Sequence, residues 1–175
     1  MRLEHGMLLI RTALPEDAAQ LCLWWNDGAV MEHAGFPRGL GTTVEKEAER
    51  LLEQRDEVSR RHIIEYDGRP IGEMHYRNKG EGTAEIGVKI CERSMQNKGL
   101  GKVILTLFIE GLFGQLGYTK VILDTSTENL RAQHVYEQLG FRRLRVNEGA
   151  WVDQLGRRRS SVDYELTPGE LIPFR

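Results

Sequence analysis

Two glycines one residue apart, Gly99 and Gly101, stand between Lys98 and Lys102 in the stretch SMQNKGLGKV, directly ahead of an apolar run. Glycine permits backbone conformations and close approaches that a β-carbon blocks, so several N–H groups of residues 96–102 can converge on one small volume. If the apolar run is a helix, those N–H groups have no partner inside it and sit at its positive end, where the two lysines add charge. Such a place suits an anion, above all a phosphate or pyrophosphate. A glycine loop that merely opens a buried helix would read the same way, so spacing has to separate the possibilities. The Walker pattern GxxxxGK(S/T) lacks its first glycine here and the hydroxyl after Lys102, and the dinucleotide fingerprint GxGxxG lacks its third glycine.

The elements that must position this loop are legible. Apolar alternation or continuous apolar runs predict seven strands, at 8–11, 62–66, 70–76, 84–90, 120–124, 142–147 and 160–166. Helical patterns cover 15–26, 44–59 with Thr43 as N-cap, 99–116 and 130–139, the last two stopped by Gly117 and Gly140. YDGRP, NKGEG and DQLG are hairpin turns, which make much of the sheet antiparallel. After residue 90 the order becomes strand, loop, long helix, strand, the crossover rhythm that favours a parallel pair. The prediction is a mixed, mostly antiparallel α/β sheet with about four helices, and the crossover begins at the glycine loop.

Composition narrows the partners. The 175 residues form one domain, 1–175, and 24 Lys+Arg against 26 Asp+Glu leave a formal net charge of -2. Nothing global draws the chain to nucleic acid or to an anionic membrane. No long apolar segment resembles a signal peptide or a membrane span, so a cytoplasmic chain is expected. Cys22 and Cys91 show no CxxC spacing and are expected as packed thiols with no metal site.

QNKGLG, from Gln96 to Gly101, resembles the Q/R-x-x-G-x-G/A signature of the GNAT superfamily of N-acetyltransferases. AEIGVKI resembles the family's fourth strand, and STENLRAQHVYEQLGF resembles its Asn-bearing strand end, short helix and closing LGF. The resemblance covers about 62–148, and the flanks are similar to the branch that contains ribosomal-protein N-terminal acetyltransferases. It implies a sheet splayed between the strands at 84–90 and 120–124. It implies acetyl-CoA held by Gln96, Asn97, Lys98, Gly99, Leu100, Gly101 and Lys102, with Asn129 on the pantetheine or the loop. It implies a backbone N–H near Val88, Lys89 or Ile90 on the acetyl oxygen, with a bulge that Gly87 would permit. Tyr136, two helical turns after Asn129, would protonate the leaving thiolate and contact the cofactor.

Transfer to an amine needs a base. Glu85 shares a strand face with Gly87 and Lys89, and is a candidate for that role or for a surface pair with Lys89 or Arg77. Glu73 competes, directly or through water, and His75 shares its face as a substrate-lining or structural residue. Trp24, Trp25, Asn26 and Phe36, on a helix end and the loop beyond it, together with Trp151 before the last hairpin, are acceptor-binding candidates, with core packing expected for at least one tryptophan. The run GRRRSS reads as a solvated turn and strand edge.

An α-amine, with a reference pKa near 8 against about 10.4 for lysine, is the easier acceptor for one modest base. A protein N-terminus is therefore favoured, with polyamines and aminoglycosides open, through direct attack in a ternary complex by a monomer or homodimer. The alternative is a non-catalytic acyl-CoA binding or sensing module, which would have no use for Glu85 or Tyr136.

Overall fold

The computed structural model describes all residues, 1–175. Eight strands form one sheet: β1 (Arg2–His5), β2 (Leu8–Thr12), β3 (Ser59–Tyr66), β4 (Arg69–Gly80), β5 (Thr83–Ile90), β6 (Lys120–Ser126), β7 (Arg142–Val152) and β8 (Arg158–Leu166). Five α-helices accompany them: α1 (Ala18–Trp25), α2 (Gly28–Met31), α3 (Val44–Glu53), α4 (Leu100–Gly114) and α5 (Leu130–Gln138). The strand order is β1-β2-β3-β4-β5-β6-β8-β7. Every pairing is antiparallel except that of β5 with β6, across the α4 crossover. β8 inserts between β6 and β7, so the last crossover does not make a second parallel pair.

The two faces carry separate cores. On one, Ile104, Leu105, Phe108, Ile109 and Leu112 of α4 pack with Met74, Tyr76, Ile86, Leu123 and Tyr164 of the sheet. Each such side chain taken fully out of water contributes roughly 1.5–3 kcal/mol. On the other face, Leu21, Trp24 and Trp25 of α1 and Leu51 of α3 pack against Ile63 and Cys91. Both cysteines are free and buried. No helix is long and apolar enough to cross a membrane.

Three elements differ from expectation. β1 was missed because its four residues are short and mostly exposed, so they carry little alternation. The one-turn α2 rests on an Asp27 cap, whose side chain accepts the Ala29 N–H. The helix expected over 44–59 stops at Glu53: the Gln54 side chain accepts the Arg61 N–H at 2.6 Å, and Ser59 is claimed by its pairing with Arg77. Sheet pairing overrides a favourable helical composition there.

His62 of β3 is wholly buried, 5.0 Å from the Phe108 ring and 5.9 Å from that of Tyr76, and its Nδ1 has no partner. Burial first, then the nearby N-terminal ammonium, pulls its pKa from 6.5 down to about 3. Between these values the unfolded chain binds a proton that the folded chain refuses. Stability from this group is therefore complete above pH 6.5 and falls with pH at about 1.4 kcal/mol per unit. Urea titrations at pH 6.5 and 5 are expected to show this slope, and His62→Phe is expected to reduce it.

Candidate active site

β5 and β6 pair only over 83–85 and 120–122, and then part. β8 holds β6 along 121–126, while β4 holds β5 to its end at Ile90. The gap belongs to a cavity of about 1940 Å³ whose wall includes 86–90 of β5 and Cys91 just beyond it, 123–126 of β6, the loop before α4 and the first turns of α5. No register shift occurs at Gly87, which pairs regularly with His75. The expected bulge is thus replaced by strand divergence, and Gly87 serves another purpose: a β-carbon there would lie 2.5 Å from His75 Cε1.

The loop before α4 turns through left-handed conformations at Asn97 (φ 60°) and Gly99 (φ 76°). The N–H groups of 97–102 donate to no backbone carbonyl, and Gln96, Asn97, Gly99, Leu100, Gly101 and Lys102 lie in the cavity wall. A β-carbon at Gly101 would meet no protein atom within 4 Å, so the space beside it is open. Gln96 is the loop's anchor, its Nε2 donating to the Ile90 carbonyl at 2.9 Å. The Lys102 ammonium lies 4.9 Å from the centre of the Phe174 ring. Lys98 falls outside the wall, because the turn at 97–99 directs that position away from the cavity.

Asn129 caps α5, its Oδ1 accepting the Ala132 N–H, and stands in the wall with Val88, Lys89, Ile90 and Tyr136. Tyr136 is packed edge-on against Phe141 and Tyr164. Burial first, then the charge of Asp124, pushes its pKa up to about 12, so its hydroxyl keeps a proton to give.

Glu85 is not in the wall. It lies where β5 still pairs with β6, and its carboxylate faces Arg77 at 3.5 Å, directly across the strand pair. Glu73 is in the wall and nearly buried, with Oε2 bound to Arg61 Nη1 at 2.5 Å. The same Arg61 nitrogen donates to His75 Nδ1 at 3.1 Å, which leaves the imidazole proton on Nε2. Burial first, then the charges of Arg61 and Arg77, drives the His75 pKa down to about 3, so the ring is neutral. The Arg61 guanidinium also stacks over Trp25, 5.0 Å from the ring centre.

Trp25, Phe36, His75 and Trp151 line the cavity, but Trp24 and Asn26 do not. Trp24 is core, its Nε1 donating to Glu92, and the Asn26 amide is spent on both backbone groups of Thr42. Arg61 and Asp124 are the residues that sequence reasoning missed. Arg61 sits two positions before Ile63 on an inward strand face, a charge where an apolar residue is the rule; that was an available signal. Asp124 opens on the cleft just beyond the parting of the strands. Surrounding protein first, then the charges of Asp163 and Glu85, raises its pKa above the ordinary carboxylate value. Asp27, Glu32, Glu47 and Glu53, against the single cation Arg50, complete the wall contributed by 27–54.

The sequence matches the family model of the acetyltransferase (GNAT) domain over residues 7–142. The aminoglycoside N(6')-acetyltransferase type 1 of Klebsiella pneumoniae is 29% identical over 154 residues, 79% of this chain and 76% of that protein. The spermidine N-acetyltransferase of Vibrio cholerae, solved in complex with CoA and spermine, superposes with a TM-score of 0.84 at 19% identity, over 95% of this chain and 98% of that one. A probable acetyltransferase superposes with a TM-score of 0.83 at 21% identity, covering 97% and 98%. The ribosomal-protein branch expected from the flanking sequence is not among these relatives. The domain match spans most of the chain, which is therefore a member of the GNAT family of acetyltransferases, enzymes that move an acetyl group from acetyl-CoA to an amine.

Proposed function

We propose that this chain acetylates a primary amine of a small polycationic molecule, of the aminoglycoside or polyamine class. The observation that carries this reading is the wall contributed by 27–54: Glu47 is spent on Arg50, which leaves Asp27, Glu32 and Glu53 with no ion pair, beside the aromatic side chains of Trp25, Phe36 and Trp151. Several separated negative charges suit an acceptor with several ammonium groups better than a peptide with one. The names of the aminoglycoside and spermidine acetyltransferases point the same way. This replaces the protein N-terminus that the amine pKa alone had favoured.

The free N–H groups of 97–102, at the positive end of the 15-residue α4, and Lys102 would hold the pyrophosphate of acetyl-CoA. The backbone of Val88, Lys89 and Ile90, where β5 has lost β6, would meet the acyl arm, and Asn129 Nδ2 stays available beside it. When bound, acetyl-CoA supplies an activated acetyl thioester. Asp124 takes the proton from the acceptor ammonium: it has no ion pair to break, and its raised proton affinity makes it the better base. Glu73, fixed at Oε2 by Arg61, offers Oε1 to orient the amine. Tyr136 gives its hydroxyl proton to the departing thiolate. Glu85, outside the wall, tunes the site through its charge on Asp124.

Thiol release from acetyl-CoA with spermidine, kanamycin and a short peptide bearing a free N-terminus tests the acceptor class. Turnover of a polycation and not of the peptide is expected; a preference for the peptide would sink the reading. Gly101→Glu is expected to abolish acetyl-CoA binding in calorimetry, since bulk and charge would enter the loop.

Tyr136→Phe and Asp124→Asn should each lower kcat by about 10²–10⁴-fold with acetyl-CoA binding retained. In the parent enzyme kcat/KM falls as Asp124 takes up a proton, so activity drops on the acid side at a pH above the usual carboxylate range. Glu85→Gln should move that limb to lower pH, because it removes one of the charges that raise Asp124.

A further inference from the structure

The turn between β7 and β8 is joined directly to the loop that carries Phe36, and one residue makes most of the join. The Gln154 N–H donates to the Gly35 carbonyl at 2.8 Å, its Oε1 accepts the Arg38 N–H at 2.7 Å, and its Nε2 donates to the Gly39 carbonyl at 3.0 Å. These partners lie more than a hundred residues away in sequence. The turn itself does not need the Gln154 side chain: Asp153 closes it, its Oδ1 accepting the N–H groups of Leu155 and Arg157 at 2.9 Å.

Beside Gln154, the Trp151 ring fills the space where Gly35 lacks a side chain, so any larger residue at 35 would collide with it. That ring also carries the Arg159 guanidinium, 5.5 Å from its centre. Arg159 is in turn bound by Asp153 at 3.2 Å and by Glu128 at 2.8 Å, immediately before the Asn129 cap of α5. One series of contacts thus runs from the Phe36 loop to the helix that bears Tyr136.

We infer that Gln154 is a positioning residue for the acceptor: it fixes the Phe36 loop against Trp151 and thereby sets which amines fit between them. This rests on the acceptor end proposed above. Both side-chain bonds reach backbone groups, so their loss frees the loop without touching the anion-binding turn, Asp124 or Tyr136. Glutamate at 154 would keep an acceptor for the Arg38 N–H but turn an oxygen toward the Gly39 carbonyl, so it should behave as a loss.

Gln154→Ala and Gln154→Glu are to be compared with the parent enzyme by steady-state kinetics with spermidine and kanamycin, calorimetry with acetyl-CoA, and hydrogen exchange over residues 35–40. Losing two hydrogen bonds should raise the amine KM by about tenfold, change kcat by less than about threefold and leave acetyl-CoA affinity unchanged. Exchange over residues 35–40 should quicken in both variants, and at Arg38 most of all in Gln154→Ala, which removes the acceptor of that N–H. Unchanged exchange, unchanged amine KM, or a matching loss of acetyl-CoA affinity would each overturn the inference. If the parent enzyme acetylates neither amine, the acceptor-class reading fails by itself, and calorimetric binding of the same amines with the exchange data still decides whether Gln154 positions them.

Discussion

β5 and β6 hold each other for three residue pairs and then part, and the active site follows from that parting. Each strand keeps its other neighbour, β5 with β4 and β6 with β8, so the sheet does not come apart; it opens along one seam. An open seam leaves backbone donors and acceptors of two strands facing a cavity, and such groups must find partners in water or ligand. The crossover helix begins beside the same seam, which sets its unpaired N–H groups next to the strands' own. A ligand with a charged end and an amide-bearing arm satisfies both sets at once.

The two faces of the sheet then divide the work. The α4 and α5 core supplies the rigid apolar platform that carries Tyr136, while the smaller core under α1 and α3 supports the acidic, aromatic wall proposed for the acceptor. Arg61 is the hinge of that second half. Through Trp25, Glu73 and His75 it holds three wall residues by one guanidinium, and the planar fork is suited to doing so. Gly87 completes the arrangement by leaving the His75 ring room to lie flat against β5.

What was legible in the sequence is what local chemistry encodes. The glycine loop, the helix behind it, the three hairpin turns and the crossover depend on neighbours within a few residues, and the structure holds them all. The carboxylate proposed as the base could not be read this way. Glu85 and Asp124 both lie near the seam on the same sheet face, and only the point at which the strands separate decides which carboxylate meets the cleft. Likewise Trp24 and Trp25 are adjacent in sequence and both buried, yet a helical step of one residue turns the first toward Glu92 and the second toward Arg61 and the cavity. The contacts of Gln154 were illegible for a further reason: its partners lie more than a hundred residues away, and nothing near it in the sequence names them.

Asp124 and Tyr136 are electrostatically coupled, and in the proposed mechanism that coupling would order the two proton transfers. The charge on Asp124 is one of the causes that hold the Tyr136 proton so firmly. On the proposed roles, a proton passed from the incoming amine to Asp124 would remove that charge and make the phenol a stronger acid as the thiolate begins to leave. Two groups whose proton affinities are each raised by their surroundings would then act in opposite senses, the first taking a proton and the second giving one. Neither transfer requires a second base or a change of fold. The coupling needs only that both side chains face one seam, and the divergence of β5 from β6 provides it.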